Sequence, residues 1–469
     1  MSGDDQSRGF PHRPRLDEQA FLRRHLVDGE EKLVLHHPAA REVVEITPEQ
    51  LEHLLACDGT RDLGGIHLAA AQRGAYRRAS AIDELLAEVA GRGLLADGIA
   101  PSHPDLERQA RPGVSAPERP LEPLPDYHFR CDGNGGCCTT YASIPFTGDE
   151  RRRAQGMVPE AAQAPRFFLP LFGSADSELS SVTLVNGACA FLSEGRCGLH
   201  REAGADAKPR GCRTYPATFV DDGTAVRVSV GVECACALTS LDSSEGAPLV
   251  AGNTAADLPW GIRVVELPTA VPVAGDRVAP RGELRRFTAS LLAALPADID
   301  ALAVLWRLAA SVERAGLDVE AALQGLAEAE PPAAGAFTLR ALAFGTAARD
   351  KQKSAEEWRS EQDRTVILAR WMGDTARALE EPARVAAALE PRSSAAERFY
   401  LRSILHGYQL RISHGTVAQG LADRAFRLLV ARVAAEVPRG ADPSRDQPIA
   451  AVEAAMRGLG LDDYASGLG

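Results

Sequence analysis

Lysine is nearly missing from this chain of 469 residues. Only Lys32, Lys208, Lys351 and Lys353 occur, and arginine supplies the rest of the 52 basic side chains. With abundant alanine, that imbalance reads as the codon bias of a GC-rich genome. A basic surplus is missing as well: the formal net charge is −12. Nucleic acid is therefore not expected as a main partner, because neutralising phosphates needs a basic footprint. Long hydrophobic runs are absent too. The most apolar later stretch, Ser290 to Val312, is broken by Pro296, Asp298, Asp300 and Arg307, so no membrane span is expected. The opening MSGDDQSRGFPHRPRLDEQ has charges of both signs and no apolar centre, unlike a secretory signal. The expectation is a cytoplasmic protein, where thiols stay reduced and clustered cysteines mean metal more often than disulfides. No internal repeat of fixed period is evident.

What is present is ordinary for a folded chain: 45% hydrophobic and 25% charged residues, with length for two to four domains. The expected class is α+β, with a small winged-helix-like N-terminal module, a cysteine-rich metal domain and an all-helical C-terminal region.

Residues 28–98 read as the first module. EKLVLHH and REVVEIT are short strands around the turn-like PAA. Thr47-Pro48-Glu49-Gln50 follows: threonine caps a helix, proline suits its first turn, and glutamine closes a capping box. Leu51, Leu54 and Leu55 supply the apolar face. A second helix runs through Leu63, Ile66 and Leu68. A third places Ile82, Leu85, Leu86 and Val89 on one side, and GLLADG returns as a strand. Cys57 reads as a small buried hydrophobe. With CDGTRDL after the first helix and GRGLL at the end, this order resembles the PqqD-like family of peptide-recognition modules. The resemblance implies a peptide or protein substrate added along a strand edge; the alternative is a winged helix used for packing or dimerisation.

Residues 99–126 carry seven prolines and read as an extended linker, since proline cannot continue a helix or occupy a central strand. Residues 127–285 are mixed, with strands at AVRVSVGV and IRVVEL. Residues 286–469 read as helices: Leu284 to Leu295, Ile299 to Ala315, Val319 to Ala329, Thr338 to Ala347, Ser354 to Leu379, and two around 395–412 and 417–437. Their alanine, leucine, arginine and glutamate content favours helix.

Eight of the nine cysteines fall between Cys131 and Cys236. CDGNGGCC holds Cys131, Cys137 and Cys138; CAFLSEGRC holds Cys189 and Cys197; KPRGCRTYP holds Cys212; VECAC holds Cys234 and Cys236. The glycines beside them suit a loop that wraps a metal, and the amides of Gly135 and Gly136 are candidates to hydrogen-bond cluster sulfur. Arg196, Arg210 and Arg213 put positive charge near several thiols, which favours the metal-binding thiolate. Tyr215, with Pro216, is a candidate outer shell. The paired cysteines are separated by five, zero, seven and one residues, unlike the two to four of paired zinc knuckles. Adjacent Cys137 and Cys138 require a loop if both ligate, whereas Cys234 and Cys236 would share one face of a strand. Eight thiols suffice for two four-cysteine sites, or for one site and spare cysteines. The metal left open is an iron–sulfur cluster or zinc, and the three-cysteine radical S-adenosylmethionine spacing is absent.

CDGNGGCC, CAFLSEGRCGLH and CRTYP together resemble the YkgJ-like cysteine-cluster family of zinc- or iron-chelating proteins, although five residues after Cys131 is a wider opening than its CxxCxxCC. The later VELPTAVPVAGDRV, GELRRF and RFYLRSILHGYQ resemble the layout of flagellin lysine-N-methylases. That resemblance implies transfer of a methyl group from S-adenosylmethionine to protein lysine. No glycine-rich loop of the Rossmann kind follows a strand, however. His128 and His200 are further candidate ligands. His36 and His37 precede Pro38 at a turn and read as solvent-facing, and His406 and His414 lie with Tyr400 and Tyr408 either along a groove or within a packed helix. The functional expectation is a metalloprotein acting in peptide or protein modification. A non-catalytic metal scaffold and an electron-transfer protein are the alternatives.

Overall fold

The computed structural model describes residues 9–17, 20–37, 42–96, 116–133, 135–140, 144–157, 167–170, 179–242, 245–258, 262, 264–327, 332–358, 361, 363–410, 415–438, 447–462 and 464. The chain divides into two compact units, one of Met1–Arg111 with Tyr141–Arg213, the other of Pro112–Thr140 with Thr214–Gly469. The stretch 127–285 is thus shared between them. The protein is mixed α and β with a helical C-terminal region. Among the described residues, no helix is long and apolar enough to cross a membrane.

In the first unit, strands Phe21–Val27, Glu30–His37 and Glu42–Ile46 form an antiparallel meander. The first of these was not anticipated; Asp28 and Gly29, both at positive φ, make the tight turn that pairs it with the second. Thr47 and Gln50 form the expected capping box of helix Pro48–Leu54. Helices Leu63–Gln72 and Ala79–Gly91 follow. Leu22, Leu33, Leu35, Leu51, Leu54, Ile66, Ile82 and Leu86 are buried together as this unit's main core. Among the described residues of GLLADG, Leu95 forms a single bridge, with Leu16, in place of the expected strand.

The same sheet continues into Leu184–Val185, parallel to Phe21–Val27, and then Ala188–Cys189. Asn186 and Gly187 turn that hairpin, and Glu194 and Gly195 turn the next, between Leu192–Ser193 and Arg196–Cys197. All four have positive φ, as a two-residue type I′ turn requires. A three-stranded sheet of Pro145–Thr147, Leu179–Val182 and Phe168–Pro170 packs Phe146, Phe167, Phe168 and Phe191 mostly edge to face or tilted.

In the second unit the sheet order is Val265–Glu266, Ala217–Asp221, Val226–Val230, Leu121–Pro123. Leu121–Pro123 ends the Pro-rich stretch, of which 99–115 lie outside the described residues, and occupies the sheet edge where proline is tolerated. Helices Arg281–Ala294, Ala301–Ala315, Val319–Ala327, Thr338–Trp358, Arg364–Ala378, Pro382–Ala388, Ala395–His406, Val417–Ala434 and Pro448–Gly458 complete it. The expected break near residues 348–353 is not there: those charged residues are good helix formers on an exposed face, and the chain instead ends one helix at Trp358 and starts the next at Asp363, whose side chain caps it. Val417–Ala434 is buried nearly all round, the signature of a central helix.

Candidate functional site

Three of the expected ligands meet within the second unit. Strand Val226–Val230 ends before Gly231, whose N–H donates to Pro216 O at 2.7 Å. The VECAC segment then turns directly into the short helix Ala235–Thr239. Cys234 and Cys236 therefore do not share a strand face. Cys234 holds extended backbone just before the helix, and Cys236 sits inside it. Cys131 and Cys234 are nevertheless both near enough to the Cys236 thiol to act on its acidity. The Cys236 thiol donates to Asp132 Oδ1 at 2.8 Å.

Backbone bonds from a distant segment place Cys131 there. Phe129 and Ala247 exchange N–H···O bonds at 2.8 and 3.0 Å. Arg130 N donates to Ser240 Oγ at 2.9 Å, and the Ser240 hydroxyl lies 2.6 Å from the Cys236 carbonyl. Beneath the cluster, the buried Tyr127 hydroxyl donates to Ala237 O at 2.9 Å. Burial pushes that phenol above its usual range, and Cys234 and Cys236 add to the effect. The bond with Cys131 works to lower the Cys236 thiol, but those with Cys234 and Asp132, together with burial, outweigh it and hold the thiol high. Cys131 is exposed, whereas Cys234 and Cys236 are buried.

Cys137 and Cys138 belong to the same unit but ride a short helix, Gly136–Thr140, rather than a loop. Gly133 and Gly135 just before it take positive φ, as a tight wrap favours. The Gly135 carbonyl accepts Cys138 N at 2.9 Å, and the Gly136 carbonyl accepts the Thr139 hydroxyl at 2.7 Å. This helix and Ala235–Thr239 both pack on Pro448–Gly458.

Cys189, Cys197 and Cys212 lie in the first unit. The two hairpins carry Cys189, buried, and Cys197, half-buried. Cys212 is half-buried in helix Arg210–Thr214. Arg213 there approaches Glu150 at 3.8 Å and Asp206 at 4.0 Å. Tyr215 lies in the second unit, joined to Pro216 by a cis bond and packed on that unit's core. All nine cysteines are thiols.

Among the described residues, no group of three or more His, Cys, Asp or Glu side chains is gathered as a ready metal-binding site. In donor chemistry, the Cys236 thiol with Cys131 and Cys234 as neighbours and Asp132 as its acceptor offers donors that suit a thiophilic metal, and Asp132 is the one that the cysteine spacing did not single out; its only sequence signal is that it follows Cys131. Cys57 is buried, its thiol donates to His53 O at 3.3 Å, and burial pushes it up to about 12, as suits an inert core cysteine. His128 is exposed and His200 half-buried. Tyr400 and His406 are buried within helix Ala395–His406, and Tyr408 is buried in the turn beyond it at positive φ; His414 and the side chains of His36 and His37 lie outside the described residues. No protein-family model matches the sequence, and no curated protein or solved structure gives a significant match.

Proposed function

We propose that this protein is a cysteine-cluster metalloprotein that holds an iron–sulfur cluster and acts in peptide or protein modification, with lysine methylation from S-adenosylmethionine as the named reaction. The observation carrying the reading is the placement of Cys131, Cys234 and Asp132 around the Cys236 thiol in one unit. A four-thiolate cluster needs one more donor, and Cys137 and Cys138 are in that same unit. Bound there, such a cluster would supply one-electron chemistry. Residues 28–98 are the peptide-recognition module of this reading: Glu42–Ile46 is the outer strand of its sheet among the described residues, and outer strands recruit extended peptides.

Anaerobic purification with iron, zinc and acid-labile sulfide analysis tests the metal. Iron and sulfide that disappear together in Cys234→Ser and Cys236→Ser support the cluster. For the reaction, lysine peptides incubated with S-adenosylmethionine under reducing, anaerobic conditions should gain a methyl group by mass spectrometry; unchanged peptides count against it. Asp132 favours a second reading, a structural zinc site, because zinc accepts a carboxylate beside thiolates. Stoichiometric zinc without sulfide, and unfolding of the second unit on chelation, would establish that reading in place of the first.

A further inference from the structure

The run Gly148-Asp149-Glu150-Arg151-Arg152-Arg153 and the segment Arg210–Arg213 meet around a cavity of about 360 Å³ within the first unit. Thr147, Asp149, Glu150, Arg152, Arg153, Arg210 and Arg213 line it, with no apolar side chain among them. Four guanidiniums face two carboxylates, an excess of two positive charges. A wall of this composition does not suit an apolar ligand.

Glu150 organises the cavity rather than filling it. Only 4% exposed, it accepts Thr147 N at 2.9 Å and Arg210 N at 2.8 Å, and lies 3.8 Å from the Arg213 guanidinium. One buried carboxylate thus ties helix Gly148–Gln155 to helix Arg210–Thr214 and holds their arginines on one rim. Asp149 pairs with Arg152. Arg153 is exposed and makes no ion pair among the described residues. The Thr147 oxygen accepts Glu150 N at 3.3 Å, leaving its O–H able to donate. Planar guanidinium forks suit phosphate oxygens, which they engage in pairs.

We propose that this cavity is a binding site for a small dianionic phosphate group, with Arg153 and Arg210 as its principal contacts. The test is calorimetric titration of the full chain with inorganic phosphate, pyrophosphate and succinate. Phosphate or pyrophosphate should bind at one site per chain and more tightly than succinate. Arg153→Gln and Arg210→Gln should each weaken binding by about tenfold or more, the loss of one charge-assisted contact. Arg286→Gln, at an exposed position outside the cavity, should leave it unchanged. Arg153 is a surface side chain, so its variant decides the matter even if Arg210→Gln folds poorly. Absence of saturable binding at millimolar phosphate and pyrophosphate, equal affinity for succinate, or affinity unaltered by Arg153→Gln overturns the assignment.

Discussion

The Cys236 thiol donates its hydrogen to Asp132 across 104 residues of chain, at 2.8 Å. Cys131 and Cys234 act on that same thiol. Carboxylates that orient metal ligands commonly matter nearly as much as the ligands. Asp132→Ala is expected to weaken metal binding by about 10–100-fold while leaving the far-ultraviolet circular dichroism of the loaded protein unchanged. Competition against a chelator of known affinity measures it, and an unaltered affinity would count against a role for Asp132.

Gly246 sits where the backbone carrying Cys131 crosses its neighbour. A Cβ there would lie 2.9 Å from His128 Cβ and 3.0 Å from the His128 carbonyl carbon, and backbone cannot swing aside as a flexible side chain can. Gly246→Ala should destabilise the protein by about 1–3 kcal/mol, the usual cost of overpacking, and should lower metal content together with stability. Urea unfolding and metal analysis on one preparation would show both effects.

Glu453 is the shared counter-ion of two buried arginines. It accepts Arg424 at 3.1 Å and Arg427 at 3.0 Å, and also the hydroxyl of fully buried Tyr400. Removing one partner strands the other charges, so Glu453→Gln should cost about 3–5 kcal/mol in urea unfolding. Burial alone would raise this carboxyl, but Arg427 and Arg424 pull it from its ordinary 4.5 down to about 2. A depressed carboxyl contributes its stability above pH 4.5, and that stability is lost as the pH falls toward 2. The Gln variant should lack this acid-dependent component; an unchanged acid profile would rule out Glu453 as its source.

His406 acts in a different pH range. Burial lowers it to about 4, against the bond to the Glu122 carbonyl at 3.0 Å and with help from Arg227 and Arg402. Between pH 4 and 6.5 the unfolded chain therefore binds the proton and the folded chain does not, so stability rises with pH there. The contribution is at most about 1.4 kcal/mol per pH unit. His406→Gln should flatten the slope by that share. His53, also lowered by burial, should keep a remainder. A slope identical to wild type would exclude His406.

Local chemistry was readable in the sequence. The Thr47 to Gln50 box, the third helix and the helical C-terminal region depend on neighbours within a turn or two. The Asn186–Gly187 and Glu194–Gly195 turns had a local signal as well, but the cysteines around them drew the reading toward ligand loops. Phe21–Val27 carries no alternating signal, because its FLRRHLV pattern buries the polar Arg24 and His25 on opposite faces of the strand. The ion pair from Arg24 to Glu31 and the bond to Thr183 are what make burial of that arginine tolerable.

By itself the sequence determined that eight cysteines with glycine-rich surroundings lie within one stretch, and that the protein's second half is helical. Composition, periodicity and turn chemistry act over short distances and survive without knowledge of the fold. Only the tertiary structure decided which thiols meet. Cys131 reaches Cys236 because the Phe129–Ala247 bridge and Ser240 pin two remote segments together, while Cys189, Cys197 and Cys212 fold with the N-terminal strands. Such pairings follow from hydrogen bonds that close long loops, and spacing along the chain carries no record of them.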